Sequence, residues 1–516
     1  MKTRSTDSLR AILAGSLLFG GTIVASVATG TLPAGAVTPV TLYVAAGGSG
    51  SRDCSSVANA CSSVQTAIDT AEGSAYAGDD VSVNVAAGQY TERVTIAASS
   101  LHSLALVGAG QSTTTVSGGG TGSVFTVSTT GTISISGFTI QDGAAYDGGG
   151  IANSSGASVS VADSTFYDDA AWDGAAIDNA DNGGTGTLSV TRSTFSTNNG
   201  ADGAAIDNAD NGGSGTLSVT DSTFSQNFGS GTGQGGAIDN GDNGGTGTLS
   251  VTNSTFSQNY AQTGGAILSH QGTASVTEST FSGNTATVGG HSLQNVGPGT
   301  LTVAASVLAD MLSGPECTGT ITDGGYNIED DAPAYSCGFS GTSASGGGLN
   351  LDNSLGSLAD NGGPTQTILP GAGSPVIGVI PSGTTLNGIP VCPRLDQRGA
   401  ASQGSCAVGA VEPVVPAFYF STAPLPHATP GSAYGPVTLT VEGVAVGATV
   451  KWKKISLPKG LKLTPTGVLS GTPNKNLAAG ANSIAVAVTE TVTTLKGKKK
   501  VKTLTTIDAT IPLVIA

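Results

Sequence analysis

Between residues 37 and 416 the sequence has no lysine and only five arginines, set against 31 acidic residues. Charged residues make up 10% of the chain and aromatics 5%, so neither dense ion pairing nor a core of large rings can organise it. Histidine is equally sparse. His102, His270, His291 and His427 are scattered at spacings that make neither a zinc site nor a catalytic triad. None of the six cysteines forms a CxxC pair, which argues against a redox or zinc motif. Beyond the first 36 residues no stretch approaches the roughly 20 apolar residues of a membrane span, so none is expected.

What is present is glycine, at 79 residues, with many Ser, Thr and Asn. Residues 1–36 read as a signal peptide: Lys2, Arg4 and Arg10 precede an apolar stretch, and Ala34-Gly35-Ala36 forms a small-residue cleavage site. The chain is therefore expected to be secreted, extracellular or cell-surface associated, with no anchor of its own. In that setting the cysteines read as three short-loop disulfides, Cys54 with Cys61, Cys317 with Cys337 and Cys392 with Cys406, although spacing alone does not fix the pairing. Charge divides the chain: residues 37–416 carry −26, whereas 417–516 carry +8 from eleven lysines and three acids. A linker at 413–416 follows, and the two parts are suited to attract each other or different partners.

A pattern recurs between residues 138 and 290. Its glycine elements are Gly148-Gly149-Gly150-Ile151, Gly174-Ala175-Ala176-Ile177, Gly203-Ala204-Ala205-Ile206, Gly235-Gly236-Ala237-Ile238 and Gly264-Gly265-Ala266-Ile267. Its Phe elements begin at Phe138, Phe166, Phe195, Phe224, Phe256 and Phe281, the last four reading F-S-x-N. Period-two alternation before each Phe marks strands, as in Leu188 and Val190, Leu217 and Val219, Leu249 and Val251. One such coil cannot bury its apolar face, but stacked coils can. The fold expected is all-β: a right-handed parallel β-helix solenoid over 37–412, followed by a small Ig-like β-sandwich over 417–516. A helix over 62–71 would cap the open end of the core.

An inserted loop, D-N-x-D-N-G-G-[ST]-G, occupies 178–186, 207–215 and 239–247 of three consecutive coils. Stacking would place Asp178, Asp207 and Asp239 in one column and Asp181, Asp210 and Asp242 in another, about 4.8 Å apart along the axis. Like charges at that distance repel by about 1 kcal/mol in water and about 3–4 kcal/mol near a protein surface. Calcium held by Asp178, Asp207 and Asp239 is one compensator, since carboxylate and carbonyl oxygens suit it. The loop nevertheless matches neither the EF-hand nor the calcium β-roll spacing. Asx turns and amide ladders that stay solvated are the alternative. Asn198, Asn227, Asn259 and Asn284 form a column whose stacked amides would specify a corner.

The GGAI and FxxN elements resemble those of the polymorphic outer membrane proteins, exported β-helix adhesins. Residues 355–412, with Asn361-Gly362-Gly363-Pro364, Asp396-Gln397-Arg398-Gly399 and Cys406-Ala407-Val408-Gly409, resemble the choice-of-anchor Q module of bacterial secreted β-helix proteins. Cys392 and Cys406 would there staple the far end of the solenoid. Leu457-Pro458-Lys459-Gly460 and Gly467-Val468-Leu469-Ser470-Gly471-Thr472-Pro473 resemble the Ig domains of bacterial surface proteins, with residues 496–498 at a hairpin tip. The opening at 64–68 and 87–92 is similar to the start of pectin-lyase-like proteins, but the acidic and basic motif series of a polygalacturonase is missing, and Gly290-His291-Ser292 is isolated.

Together these features imply extracellular recognition or adhesion through a repetitive β-helix surface, with a glycan or cell-surface ligand and with the stacked aspartates and Trp172 as contact surface. Asp168, Asp169 and Asp173 around Trp172, with Tyr146 and Tyr167, suit sugar hydroxyls and rings or, equally, a polar loop. The alternative is a polysaccharide-active enzyme, a pectate-lyase-like lyase or a glycoside hydrolase. A lyase needs a basic group near its acidic site. Arg192, the one Arg or Lys of the repeats, shares a column with Asp163, Asp221, Asn253 and Glu278, which suits a charge spacer. The lysines of the C-terminal part fall in no nucleic-acid motif, so no nucleic-acid partner is expected.

Overall fold

The computed structural model describes residues 39–48, 53–309, 314–330 and 335–344, and most of 351–515. The omissions in that last part are 414–418, 421–424, 426–427, 443–447, 478–479, 497–498 and the single residues 372, 387 and 403. The signal-like segment, most of the linker and the tip of the C-terminal hairpin lie outside the described residues.

Residues 39–329 wind into a parallel β-helix. Each coil visits three sheets in turn. The first has 11 strands, from Pro39–Val44 to Ile321–Asp323; the second has 10, from Gly88–Thr91 to Ile328–Glu329; the third has 9, from Val94–Ile96 to Cys317–Thr318. Four coils add a short strand between the second and third sheets, the first of them Asn199–Asp202. Pairing is parallel and stacks like on like: Leu188, Leu217 and Leu249 are in register, as are Ile151, Ile177, Ile206, Ile238 and Ile267. Phe166, Phe195, Phe224, Phe256 and Phe281 stack with ring centroids 4.6–4.9 Å apart and interplanar angles of 7° or less. Burying each such ring contributes about 1.5–3 kcal/mol, which is how a chain poor in aromatics fills its core.

Phe138 departs from the expected column. The register sets Ile140, not Phe138, beneath Phe166. Phe138 sits two residues earlier, where its N–H donates to Ser164 Oγ, and meets Phe125 edge-on at 6.5 Å. Its place is a corner position that serine takes in the following coils, Ser164, Ser193, Ser222, Ser254 and Ser279.

Buried amides fix the other corners. Asn198, Asn227 and Asn259 each donate from Nδ2 to the Oδ1 of the next coil's asparagine at 2.9 Å and to a Phe carbonyl of the preceding coil. A second ladder, Asn153 to Asn179 to Asn208 to Asn240, runs inside the third sheet at 2.8 Å per step. Replacing Asn227 with Ala strands the buried groups of both neighbouring rungs. The expected cost is about 2–3 kcal/mol, read as a lower urea midpoint at an unchanged m-value.

The solenoid is closed at its start by helix Val64–Ala71, which buries Val64, Ala67, Ile68 and Ala71 against the first coils. Ser63 caps it, and the Glu92 carboxylate accepts from the N–H groups of Val64 and Gln65. The three expected cysteine pairs are all bonded. Residues 355–412 do more than staple the far end: they run back along the outer flank of the second sheet. Gln397 donates to Thr223 Oγ1 and accepts from Thr255 Oγ1, and Gln111 donates to the Pro364 carbonyl. The outward threonine column of the second sheet supplies the hydroxyls that make this flank a binding surface for the strap.

The C-terminal part has two three-stranded antiparallel sheets, one of Tyr434–Thr438, Val468–Gly471 and Leu461–Leu463, the other of Thr449–Ser456, Gly480–Lys496 and Lys499–Ile515. Leu439, Trp452, Leu469, Ile484, Val486 and Val488 form their shared core, with Leu395 and Ala401 of the strap packed against it. No described helix is long and apolar enough to cross a membrane.

Candidate functional site: an acidic cleft

Over the third sheet of the loop-bearing coils, two walls face each other. The inserted loops form one wall, bearing Asp181, Asp210 and Asp242. The turn before each glycine element forms the other, bearing Asp147, Asp173 and Asp202, which lie opposite one another coil by coil. Between the walls the strands carry Asp178, Asp207 and Asp239 in register. Ile177 faces the core and Asn179 joins the amide ladder, so strand alternation sends Asp178 to the outer side.

The walls close over these side chains. Asp178, Asp207 and Asp239 are 0% exposed, Asp181 and Asp210 1%, Asp173 3% and Asp242 7%. The loop aspartates are therefore not the exposed contact surface, and not the solvated Asx turns, that the sequence suggests. Neither oxygen of Asp178 or of Asp207 has a hydrogen-bond partner. Asp181 and Asp210 are better provided for, each accepting from the N–H of the asparagine that follows it, and Asp181 also from Asn211 Nδ2 at 3.1 Å.

The electrostatic result is a set of acids that resist ionising. Burial, and then the charges of Asp210 and Asp202, push Asp173 up to about 8. Burial and Asp239 push Asp202 up to about 7, and burial and Asp181 push Asp147 up to about 6. Asp178 and Asp207 are held well above the ordinary carboxyl range, first by burial and then by neighbouring aspartates. At the last of the three coils the chain supplies its own cation: His270 Nε2 lies 3.3 Å from Asp239 Oδ1 and 3.5 Å from Asp242 Oδ1. Burial alone would lower its pKa, but Asp239 and Asp242 overcome this and push it up to about 9.

Among the described residues, two groups bring three ligating atoms within 4.8 Å of one another, Asp173 with Asp207 and Asp210, and Asp239 with Asp242 and His270. The expected calcium set of Asp178, Asp207 and Asp239 follows one column, whereas these groups draw on different columns. Asp147, Asp173, Asp202 and His270 are partners that the sequence does not link to the loops, Asp173 being singled out there only for its place beside Trp172. The first three did carry a signal, because each directly precedes a glycine element, as Asp173 precedes Gly174.

The wall also carries rings. Trp172 is 57% and Tyr146 68% exposed, stacked at 6.4 Å and 10°. Two coils further on, Phe228 and Tyr260 stack at 4.8 Å. Arg192 keeps to its column, its Nε and Nη2 donating to both Asp163 oxygens at 2.8 and 2.7 Å. His291 is buried, its Nδ1 accepting from the Ala286 N–H.

Fold and site together define a parallel β-helix protein with a buried acidic cleft beside an exposed aromatic edge. No family profile matches the chain, and no curated protein matches it. Among solved structures, a pectin methylesterase from carrot aligns over 62% of this chain and 91% of that one, at 13% identity and a TM-score of 0.30. So distant a likeness bears on no activity, and the β-helix rests on its own strand pairing.

Proposed function

We propose that this is an extracellular recognition protein that binds a glycan along the aromatic edge of its β-helix. The observation that carries the reading is the exposed stack of Tyr146 with Trp172, followed two coils on by the stack of Phe228, also exposed, with the half-buried Tyr260. Large exposed rings lose apolar contact with water when a sugar face covers them, and a solenoid repeats such platforms along its axis at strand spacing. Disulfides at both ends of the solenoid suit an oxidising compartment.

Catalysis has less support. Arg192, the basic group a lyase would need, is engaged with Asp163 outside the cleft, and none of the described salt bridges brings Lys or Arg to the cleft aspartates. A glycan-array screen followed by affinity electrophoresis on the hits tests the reading. Trp172→Ala is expected to weaken binding about tenfold or more, a loss of about 1.4 kcal/mol, while leaving the thermal midpoint within a degree or two, because the ring is exposed. Equal binding by wild type and by a Trp172→Ala, Tyr146→Ala double variant would sink it. Release of unsaturated or reducing ends from a bound polymer would replace it with the enzyme reading.

A further inference from the structure

The acidic cleft has an internal comparison. In successive coils the same strand and loop positions converge: Asp207 and Asp210 meet Asp173, then Asp239 and Asp242 meet His270, with Asp202 in register with Asp173 on the wall. In the second set a positive charge from the chain itself, His270, stands between Asp239 and Asp242. In the first set no described salt bridge supplies one. The geometry is otherwise shared, so the first set has the demand for a cation without the cation.

We infer that Asp173, Asp207 and Asp210 form a binding site for a hard divalent cation of the calcium type, held between the two walls of the cleft. Asp207 is the central ligand. It is fully buried, with both carboxylate oxygens lacking a hydrogen-bond donor. A buried carboxylate without donors is costly, and either a proton or a metal must satisfy it. The donor set consists of oxygens alone, without the nitrogen or sulfur that favours zinc or copper. Three carboxylates provide up to six oxygens, and calcium accepts irregular mixtures of monodentate and bidentate carboxylates with water, where magnesium demands a regular octahedron. The hydrogen bonds from the Asn211 N–H and Nδ2 hold Asp210 in place while leaving lone pairs on both oxygens. One coil away Asp178 also lacks donors, but with Asp147 and Asp181 it does not bring three ligating atoms within 4.8 Å of one another, so the Asp207 set stands alone among these rungs.

The inserted loop then has a purpose: it builds the second wall and occurs only in the coils that carry the strand aspartates. The site does not depend on a glycan, and its test uses none. The full chain, stripped with a chelator, is titrated with calcium and, separately, with terbium, whose emission is excited through Trp172 beside Asp173. Calcium is expected to raise the thermal midpoint by about 2–5 °C and to displace terbium emission. Asp207→Asn keeps the side-chain shape, and it is expected to raise the metal-free midpoint and abolish both responses. Should that variant fail to fold, Asp173→Asn, on the opposite wall, is expected to lose them too. A wild type that neither shifts with calcium nor sensitises terbium, or variants that retain both responses, would overturn the site and leave the cluster as protonated acids.

Discussion

In the presence of a chelator, the thermal midpoint of this protein is expected to fall steadily as pH rises from about 5 to 9. Asp147, Asp202 and Asp173 titrate near 6, 7 and 8 in the folded chain, against an ordinary value of 3.8. The folded state therefore holds more protons than the unfolded state, and stability drops with pH throughout that interval. Each pH unit between the two values makes folding less favourable by at most about 1.4 kcal/mol per carboxyl, and by less at Asp147, which is only partly buried and screened by water. His270 acts in the same direction: its raised pKa stabilises the fold below 6.5, and that contribution disappears as pH passes about 9. Acid unfolding lies in a separate window. Asp323, lowered by hydrogen bonds from the Ser340 and Gly325 N–H groups and from Ser343 that outweigh its burial, stabilises the fold above about 4 and loses that effect below it.

Saturating calcium should flatten the decline, because a bound cation replaces the protons. Glu278, pushed up to about 7 chiefly by burial, contributes a slope of the same sign outside the cleft. Asp173→Asn separates the two, since it reduces the cleft's share and leaves that of Glu278 intact. Scanning calorimetry from pH 5 to 9, with chelator and with calcium, checks the expectation. A chelated protein whose midpoint is flat or rising over that range would mean that the aspartates are solvated and ionised after all.

How much of this was legible in the sequence follows from which interactions are periodic. The β-helix was, because Leu188, Leu217 and Leu249 recur at one position per coil and pair in that register. The Phe column was misread at its first member because Phe is conspicuous. The quieter Ser-Thr-Phe unit, matched by Phe138-Thr139-Ile140, would have given the register in which Thr139 opposes Thr165. The Asp columns were legible as columns, but their burial was not. It depends on a wall from the turn preceding the glycine element, folded against a loop that follows the strand, and one-dimensional spacing does not show that two such segments meet. His270 is the extreme case, being a single residue with no counterpart in other coils. The course of residues 355–412 was hidden for the same reason: the bonds of Gln397 to Thr223 and Thr255 span 174 and 142 residues and occur once.

That strap should loosen when Arg398 is replaced. Arg398 is 0% exposed, yet it carries a full charge. Its Nη2 and Nε donate to Asp396 Oδ2 at 2.7 and 3.0 Å, and Nη2 also donates to the Glu412 carbonyl at 2.8 Å, so one side chain ties two distant parts of the strap together. Arg398→Met preserves much of the volume but leaves Asp396 buried opposite no cation. Its remaining donors, the N–H groups of Arg398, Ala400 and Glu412, are neutral. Removing one member of a buried pair costs about 3–5 kcal/mol, more than the strap's own bonds to the threonine column are expected to resist. Those consist of a few hydrogen bonds worth about 1 kcal/mol each, whereas the buried Arg394–Glu278 ion pair and the packing of Val376, Ile380 and Val408 on Val307 and Ile328 hold the strap elsewhere. The solenoid beneath keeps its stacked core, so the loss should be local. Hydrogen exchange is expected to accelerate across 355–412 and at Thr223, Thr255 and Thr280, while Leu217, Phe224 and Val251 stay protected. Double replacement of Arg398 and Asp396 by Met and Leu should recover part of the stability, because it removes the stranded charge. Uniform exchange along the whole chain would show instead that strap and solenoid unfold as one cooperative unit.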